Sequence, residues 1–245
     1  MPIELLDKSI DVHPITDLDY ELITEIVDVG GQSLRLTTLA NVEQSIDLVF
    51  HWLESKGRDS AEIEQLAPYF GVVWPSSLAL CGYLLQDKIY SRLKGKSVIE
   101  LGCGLAIPSI IASKAGAFCT ATDNHPNVLQ FLVRNVELNE PSSIRYVTLS
   151  GSEGSKFSHS SANEFDLVIA SDVLYEQKLV EHFAEEVSKY SKTGTTCIIA
   201  DPGRPYIQDF VTSMNSRGWR DQLQPWTVPF KGGPRDIFVL IFNRD

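Results

Sequence analysis

Two glycines and an acid stand together directly after a short apolar run near the middle of the chain. Glu100 precedes Gly102, Cys103 and Gly104, and the residues before them have the composition of a buried strand. Glycine has no Cβ, so its backbone can approach a ligand closely, and the nearby carboxylate can accept a hydrogen bond from a cationic ammonium group. Ile107 occupies the third glycine position of a dinucleotide-binding turn, which disfavours a pyrophosphate cradle. A tight turn without any ligand would also explain the two glycines.

A second acid lies at the distance expected for a nucleoside site. Asp123 ends the next predicted strand about 20 residues after Gly104, a spacing at which a carboxylate accepts hydrogen bonds from ribose hydroxyls. The alternative is that Asp123 caps the following helix, a role that Asn124 or His125 would also fit. The two acids with the glycines favour a nucleoside cofactor that is cationic and carries no phosphate, as S-adenosylmethionine is.

The surrounding pattern predicts alternating strands and helices. Strands are predicted within 96–102, 118–123, 144–150, 165–175 and 195–203, and two more flank the KGGP turn at 231–234. Helices are predicted within 107–116, 126–139 and 177–191. Such alternation requires a mostly parallel sheet covered on both faces, with ligands at the carboxyl ends of its strands.

An N-terminal extension precedes this pattern. Apolar and polar residues alternate on both sides of Gly30 and Gly31, which predicts a β-hairpin. A short polar helix is expected before Pro68, and a helical run follows from Ser76, where Ser76 or Ser77 would be the cap. We therefore divide the chain into an extension, 1–67, and a second domain, 68–245. Residues 1–65 are expected to cap the site and help select the substrate.

Composition excludes several classes of function. The net charge is −11, from 21 basic and 32 acidic residues, which disfavours a nucleic-acid binder and leaves small molecules or basic proteins as partners. An acidic surface kept for solubility is the alternative explanation. The four cysteines form no CxxC pair and the five histidines are scattered, so we expect no metal site and a reducing, cytoplasmic location. Neither a signal peptide nor an apolar membrane span is predicted.

Five segments together resemble the class I, seven-β-strand methyltransferases that depend on S-adenosylmethionine. They are PYFGVVWPSSLAL, GKSVIELGCGLAIPSIIASKAGA, TDNHPNVLQFLVRNVELN, FDLVIASDVLYE and ADPGRP, within residues 68–205. More narrowly, the chain is similar to the methyltransferase-like protein lysine methyltransferases, including those of the type that acts on the electron-transfer-flavoprotein β-subunit. The resemblance implies an α/β, Rossmann-like three-layer sandwich. Its mostly parallel seven-stranded sheet would have an antiparallel last strand, with a β-hairpin and helix added at the N-terminus.

The resemblance also implies which residues hold the cofactor. In the family, the residues matching Trp74, Glu100 and Asp123 contact S-adenosylmethionine, as does the strand segment matching Ala170 and Ser171. The full set expected to bind the cofactor is Trp74, Glu100, Gly102, Cys103, Gly104, Asp123, Asn124, Ala170 and Ser171. Packing at the edge of the site is an alternative role for the tryptophan.

The family's DxxY motif falls on Asp172 and Tyr175, at the substrate end of the site. Asp172 is expected to bind the lysine ammonium and orient the neutral amine, although capping a helix or pairing with a surface lysine would also explain it. Tyr175 either contacts the amine or is a core aromatic residue. Asp201 and Arg204 are candidates to hold the substrate, but an internal pair between them explains these residues equally well.

Two departures from the family pattern accompany these matches. Ala106 stands where many relatives have glycine, and LSGSEG replaces a tryptophan-bearing segment near the adenine. The leading hypothesis is methylation of a lysine side chain in a protein. A small-molecule N- or O-methyltransferase and a non-catalytic binding module with the same fold are the alternatives, and the oligomeric state stays open.

Overall fold

A computed structural model of the chain describes residues 3–5, 18–141, 144–148 and 165–244, so LSGSEG lies outside the described residues. The N-terminal part contains β1 (Ile3–Leu5), β2 (Leu22–Val29), β3 (Gln32–Leu39), α1 (Val42–Ser55), α2 (Ile63–Leu66), α3 (Pro75–Leu84) and α4 (Asp87–Leu93). The rest contains β4 (Ser97–Leu101), α5 (Ile107–Lys114), β5 (Phe118–Asp123), α6 (Val128–Asn139), β6 (Ile144–Thr148), β7 (Phe165–Ser171), α7 (Leu179–Lys189), β8 (Ser191–Asp201), α8 (Ile207–Ser216), β9 (Trp219–Val228) and β10 (Arg235–Arg244).

The central sheet has the strand order β1-β6-β5-β4-β7-β8-β10-β9. The neighbours from β1 to β8 are parallel, whereas β10 runs antiparallel to both β8 and β9. The predicted mostly parallel sheet with an antiparallel last strand is confirmed. The sheet has an eighth strand, β1, at the edge beside β6. A strand of three residues is too short to show a periodic pattern in the sequence, so it was not predicted.

Helices cover both faces of this sheet and create a separate apolar core on each. On one face, buried residues of α3, α5 and α6 pack in a core that continues into the N-terminal hairpin and α1. On the other face, α7 and α8 bury Val180, Ala184 and Phe210 against β7, β8 and β10. The predicted three-layer sandwich is thus confirmed. Among the described residues, no helix combines the length and the apolar character needed to cross a bilayer.

The predicted hairpin is present as β2 and β3, and two asparagines attach it to the main body. Asn135 and Asn139 lie one turn apart on α6, and each side-chain amide pairs with the backbone N–H and C=O of one β3 residue, Thr37 and Arg35 respectively. One helical turn and two strand residues span nearly the same length, about 6 Å, so the two pairs fit together. The free edge of β3 is therefore closed by side chains.

Helix α3 begins differently from the prediction. Trp74 occupies the N-cap position and Pro75 the first helical position, and no side chain caps the helix, so the predicted serine cap is wrong. The helical run after it is interrupted near Gln86 and continues as α4.

Candidate active site

A cleft of about 970 Å³ opens at the carboxyl ends of β4, β5 and β7, the position at which parallel α/β sheets bind ligands. Its volume lies within the range typical of small-molecule sites. The loops after these strands form its floor, and residues 64–74, called here the wall segment, form one side. Because the wall segment spans the boundary between the two predicted domains, both contribute to the cleft.

The loop after β4 adopts the backbone that its glycines permit. Gly102 and Gly104 have φ angles of 67° and 49°, in the left-handed region that glycine adopts without strain. A Cβ on Gly104 would lie 3.0 Å from the backbone oxygen of Phe70, so glycine here also lets the wall segment pack closely against the loop. Ala106 has a φ of 57°, which explains why glycine would be the less strained residue at this position.

Asp123 lies at the end of β5 and lines the cleft. Its Oδ2 accepts the Gly104 N–H at 2.9 Å and its Oδ1 accepts the His125 N–H at 2.9 Å. Burial raises the pKa of Asp123 above its usual value, and backbone hydrogen bonds from His125, Gly104 and Asn124 limit that rise. Each oxygen keeps acceptor capacity for a ligand hydroxyl. Asp123 thus braces the glycine loop while facing the cleft, and it does not cap α6, which starts after Asn127.

Glu100 is not among the residues that line the cleft, so its predicted contact with the cofactor stays a prediction. Its side chain is 1% exposed and points to the face of β4 covered by α5, where Oε2 accepts the Ser109 N–H at 2.9 Å and also the Ser109 hydroxyl. Its Oε1 is buried without a hydrogen-bond partner among the described residues. Glu100 therefore fixes the start of α5 beneath the glycine loop.

Glu100 should make the folded protein less stable as the pH rises. Burial raises its pKa to about 8, opposed by the two Ser109 hydrogen bonds and assisted by the charge of Asp123. Between its ordinary pKa near 4.5 and about 8, the folded chain holds a proton that the unfolded chain releases, so the free energy of unfolding falls as the pH rises through this window. For one titrating group, the free energy of unfolding changes by at most about 1.4 kcal/mol per pH unit.

Urea unfolding of the cofactor-free protein from pH 5 to pH 8 measures this dependence, with Glu100→Gln as the comparison. The wild type is expected to lose stability relative to Glu100→Gln across that range. A difference between the two proteins that does not change with pH would contradict the assignment.

Asp172 immediately follows β7 and is held in an unusual conformation. Its φ is 60°, which is uncommon for a residue other than glycine, and its N–H donates to the Ala200 carbonyl of β8 at 3.0 Å. Its side chain is only 10% exposed and lines the cleft. The buried Oδ2 has no hydrogen-bond partner among the described residues. Strain of this kind persists where the surrounding structure requires it, as at a functional site.

Arg204 binds both aspartates of the neighbouring strand ends. Its Nη2 donates to Asp172 Oδ1 at 2.6 Å and its Nη1 to Asp201 Oδ2 at 2.8 Å. Asp201 Oδ1 also accepts the backbone N–H groups of Gly203 and Arg204. Burial lowers the pKa of Arg204, but the two carboxylates raise it above its usual value. The internal pair is therefore present, and it extends to Asp172.

These contacts correct the prediction for Asp201. Its side chain is fully buried and absent from the cleft lining, and its carboxylate accepts hydrogen bonds from Gly203 and Arg204. Ala170 is also absent from the cleft lining, and its side chain is fully buried in the core beneath α7 and α8, so its contact with the cofactor stays a prediction. Ser171 and Asp172 follow it and do reach the cleft.

Removing the guanidinium should destabilise the fold, because Asp201 would keep a buried charge without a cation. We expect Arg204→Met to lower the free energy of unfolding by about 2–3 kcal/mol, somewhat below the cost of breaking a fully buried pair. Arg217→Met is a matched control, since Arg217 is 26% exposed against 25% for Arg204 and its carboxylate partner is on the surface. Urea unfolding of both variants measures the effect. Equal losses of unfolding free energy in the two variants would contradict the prediction that Arg204 stabilises the fold by pairing with the buried Asp201.

Aromatic residues stand at the mouth of the cleft. Trp74 is 37% exposed and donates its Nε1–H to the Tyr69 carbonyl at 2.9 Å, which orders the end of the wall segment. Tyr175 is 56% exposed and lines the cleft, so its alternative assignment as a core aromatic residue is corrected. Both residues are accessible to a ligand.

The structure thus brings most of the predicted residues to one cleft. Those that line it are Trp74, Gly102, Cys103, Gly104, Asp123, Asn124, Ser171, Asp172, Tyr175 and Arg204. The predictions missed Ser109 and, apart from Trp74, the residues of the wall segment, and they considered His125 only as a helix cap. A serine in a helix and a buried histidine have no sequence signal of their own, because each contacts a residue distant in the chain.

Comparison with known proteins shows the family to which the chain belongs. A family model described as lysine methyltransferase matches residues 61–217. The electron transfer flavoprotein beta subunit lysine methyltransferase of Danio rerio is 32% identical over 146 residues, which cover 58% of this chain and 53% of that protein. Protein N-lysine methyltransferase METTL21A of Danio rerio is 32% identical over 151 residues, 60% of this chain and 67% of that protein. The chain thus spans about half the length of the first of these relatives.

Solved structures show the same fold at low sequence identity. T. thermophilus 16S rRNA methyltransferase RsmC, in complex with AdoMet and guanosine, superimposes with a TM-score of 0.59 at 13% identity over 93% of this chain and 52% of that one. SMU.776, complexed with SAH, gives a TM-score of 0.60 at 12% identity over 89% of this chain and 56% of that one. The match to the family model covers more than half of the sequence. The chain belongs to the lysine methyltransferase family.

Proposed function

We propose that the chain transfers a methyl group from S-adenosylmethionine to the side-chain nitrogen of a lysine in a protein substrate. The observation that carries the proposal is Asp172, a strained aspartate whose second carboxylate oxygen has no partner among the described residues. It shares one cleft with the glycine loop and Asp123. Asp172 would bind the substrate, and the loop and Asp123 would hold the cofactor.

The residues present fit S-adenosylmethionine. Asp123 offers carboxylate oxygens for ribose hydroxyls, and Phe70, Val72 and Leu105 give the cleft apolar surface. Trp74 offers an exposed ring at the mouth. When bound, the cofactor supplies an activated methyl group on a positively charged sulfur. Its adenine contacts stay unassigned, because the segment after β6 lies outside the described residues.

Asp172 suits a lysine as acceptor. A lysine ammonium must lose a proton before its nitrogen can attack, which costs about 4–5 kcal/mol at pH 7 for a pKa near 10.4. The carboxylate of Asp172 would bind the ammonium and then orient the neutral amine, and the proton would leave to water. The new N–C bond forms as the S–C bond breaks, so the chain's main contribution is to align nitrogen, methyl carbon and sulfur.

The charge at the mouth is consistent with a basic protein segment. Glu64 and Glu176 both line the cleft, and Lys178 is paired with Glu176 at 2.6 Å. Glu186 also lines the cleft and pairs with Lys189. Of these glutamates Glu64 has no lysine partner among the ion pairs named here, and the overall charge of −11 favours a cationic partner over a nucleic acid. A cytoplasmic location is part of the proposal and is supported by four buried free cysteines, Cys81, Cys103, Cys119 and Cys197.

A labelled-methyl assay on a cell lysate tests the function. Incubation with S-adenosylmethionine carrying a labelled methyl group, followed by mass spectrometry, is expected to find the label on a lysine side chain of a protein. A parallel incubation with excess S-adenosylhomocysteine is the control and should abolish labelling. Label that appears only in small molecules would favour the small-molecule alternative. No transfer despite cofactor binding would favour the binding module.

A further inference from the structure

His125 joins two parts of the cofactor cleft that are distant in sequence. It follows Asp123 on the loop after β5 and is 6% exposed. Its Nε2 lies 3.1 Å from the carbonyl oxygen of Leu66 at the end of α2. Its ring also packs against that of Phe70, with centroids 4.3 Å apart. One buried side chain thus contacts the wall segment at two points.

The hydrogen-bond partners determine which ring nitrogen carries the proton. Nδ1 accepts the N–H of Asn127 at 3.1 Å, so it has no proton, and Nε2 must donate to the Leu66 carbonyl. Burial lowers the pKa of His125 to about 4, consistent with a neutral ring. Nε2 therefore donates to the wall segment, and Nδ1 accepts a hydrogen bond within the turn from His125 to Asn127.

The contacts form a closed circuit around the cofactor side of the cleft. The His125 N–H donates to Asp123, which accepts the Gly104 N–H. Gly104 in turn lies against the backbone of Phe70, which belongs to the wall segment. Displacement of the wall segment would therefore loosen the carboxylate and the glycine loop together. Within the part of the chain that the structure describes, the His125–Leu66 contact is the hydrogen bond that closes this circuit.

We propose that His125 is a positioning residue of the cofactor site, which ties the wall segment to the Asp123 loop through its hydrogen bond to Leu66. The proposal rests on the proposed function in one respect, that S-adenosylmethionine occupies this cleft. Because coupling between two sites is reciprocal, cofactor binding should also order the wall segment.

Two substitutions at His125 separate the hydrogen bond to Leu66 from the hydrogen bond with Asn127. The side-chain amide nitrogen of glutamine lies close to the position of histidine Nε2, so His125→Gln can keep the bond to Leu66. The amide oxygen of asparagine lies close to the position of Nδ1, so His125→Asn can keep the bond from Asn127 but does not reach Leu66. Both lose the ring contact with Phe70. His51→Asn, on the exposed surface of α1, is the control for a histidine outside the cleft.

Calorimetry with S-adenosylmethionine and amide hydrogen exchange of residues 63–71 are the two measurements. His125→Asn is expected to weaken cofactor binding about tenfold, the effect of losing one buried hydrogen bond, and His125→Gln less than threefold. Without cofactor, His125→Asn should speed exchange of the Ala67, Tyr69 and Gly71 amides, which donate to carbonyl groups within residues 63–71. In the wild type, cofactor should slow that exchange.

The outcomes are distinguishable. Equal loss of affinity in the two variants, or unchanged exchange of residues 63–71 in His125→Asn, would overturn the tie. If the wild type binds no S-adenosylmethionine, the proposed function fails. A faster exchange confined to His125→Asn would then still support the structural tie between His125 and the wall segment.

Discussion

Replacing Asp172 with asparagine is expected to lower the rate of methyl transfer by about 100- to 1,000-fold, equivalent to about 3–4 kcal/mol of transition-state stabilisation. Asparagine removes the charge that would bind the lysine ammonium and puts an amide nitrogen in place of one carboxylate oxygen. The backbone should be preserved, because asparagine tolerates the φ of 60° at least as well as aspartate. The amide oxygen can still accept from Arg204.

The same variant should bind S-adenosylmethionine with an affinity within about threefold of the wild type, since Asp123 and the glycine loop are unchanged. Single-turnover transfer to the substrate found in the lysate assay, together with calorimetry, separates the two effects. Asp166→Asn is the matched control, because Asp166 lies at the opposite end of β7 and its carboxylate contacts Ser97 and two lysines. Undiminished transfer by Asp172→Asn would disprove the role proposed for this aspartate.

Replacing Asp123 with asparagine is expected to weaken binding of S-adenosylmethionine about 100-fold, through the loss of hydrogen bonds worth about 1.5–3 kcal/mol each to a charged acceptor. Both oxygens accept a backbone N–H, from Gly104 and His125. The amide nitrogen of asparagine would face one of these donors, so the loop shifts in addition to losing a ribose acceptor. Transfer at saturating cofactor should fall much less, because Asp172 is unaffected.

Calorimetry measures this loss, and Asp59→Asn is a suitable control. Asp59 also accepts a backbone N–H, that of Ala61, but it stands outside the cleft. A large effect in both variants would reflect general destabilisation. An affinity unchanged by Asp123→Asn would mean that the ligand does not contact this carboxylate.

Much of the fold was predictable, because alternation of apolar strands with amphipathic helices admits few arrangements. The hairpin was equally clear from Gly30 and Gly31 between alternating segments. Attachment of the hairpin could not be predicted, since Asn135 and Asn139 read as ordinary polar positions of α6 until β3 is placed beside them. Strand β1 was missed because its three residues form a strand only through pairing with β6.

The candidate site was predicted in part for a similar reason. Gly102, Gly104 and Asp123 follow strands, and in a parallel sheet the carboxyl ends of neighbouring strands meet at one edge. The resemblance to the family added Asp172 and Tyr175, which do line the cleft. The hydrogen bonds of Glu100 with Ser109 could not be predicted, because strand periodicity does not say which face of β4 lies under a helix and which faces a ligand.

By itself, the sequence determined the class of fold, the edge of the sheet that binds ligands and the acid and glycines expected there. These follow from local periodicity and from short spacings along the chain. Only the tertiary structure decided that Arg204 binds both Asp172 and Asp201. It also decided that Glu100 accepts hydrogen bonds from Ser109 and that His125 donates to Leu66. Each of these depends on side chains brought together by the packing of separate elements, and no local pattern encodes such contacts.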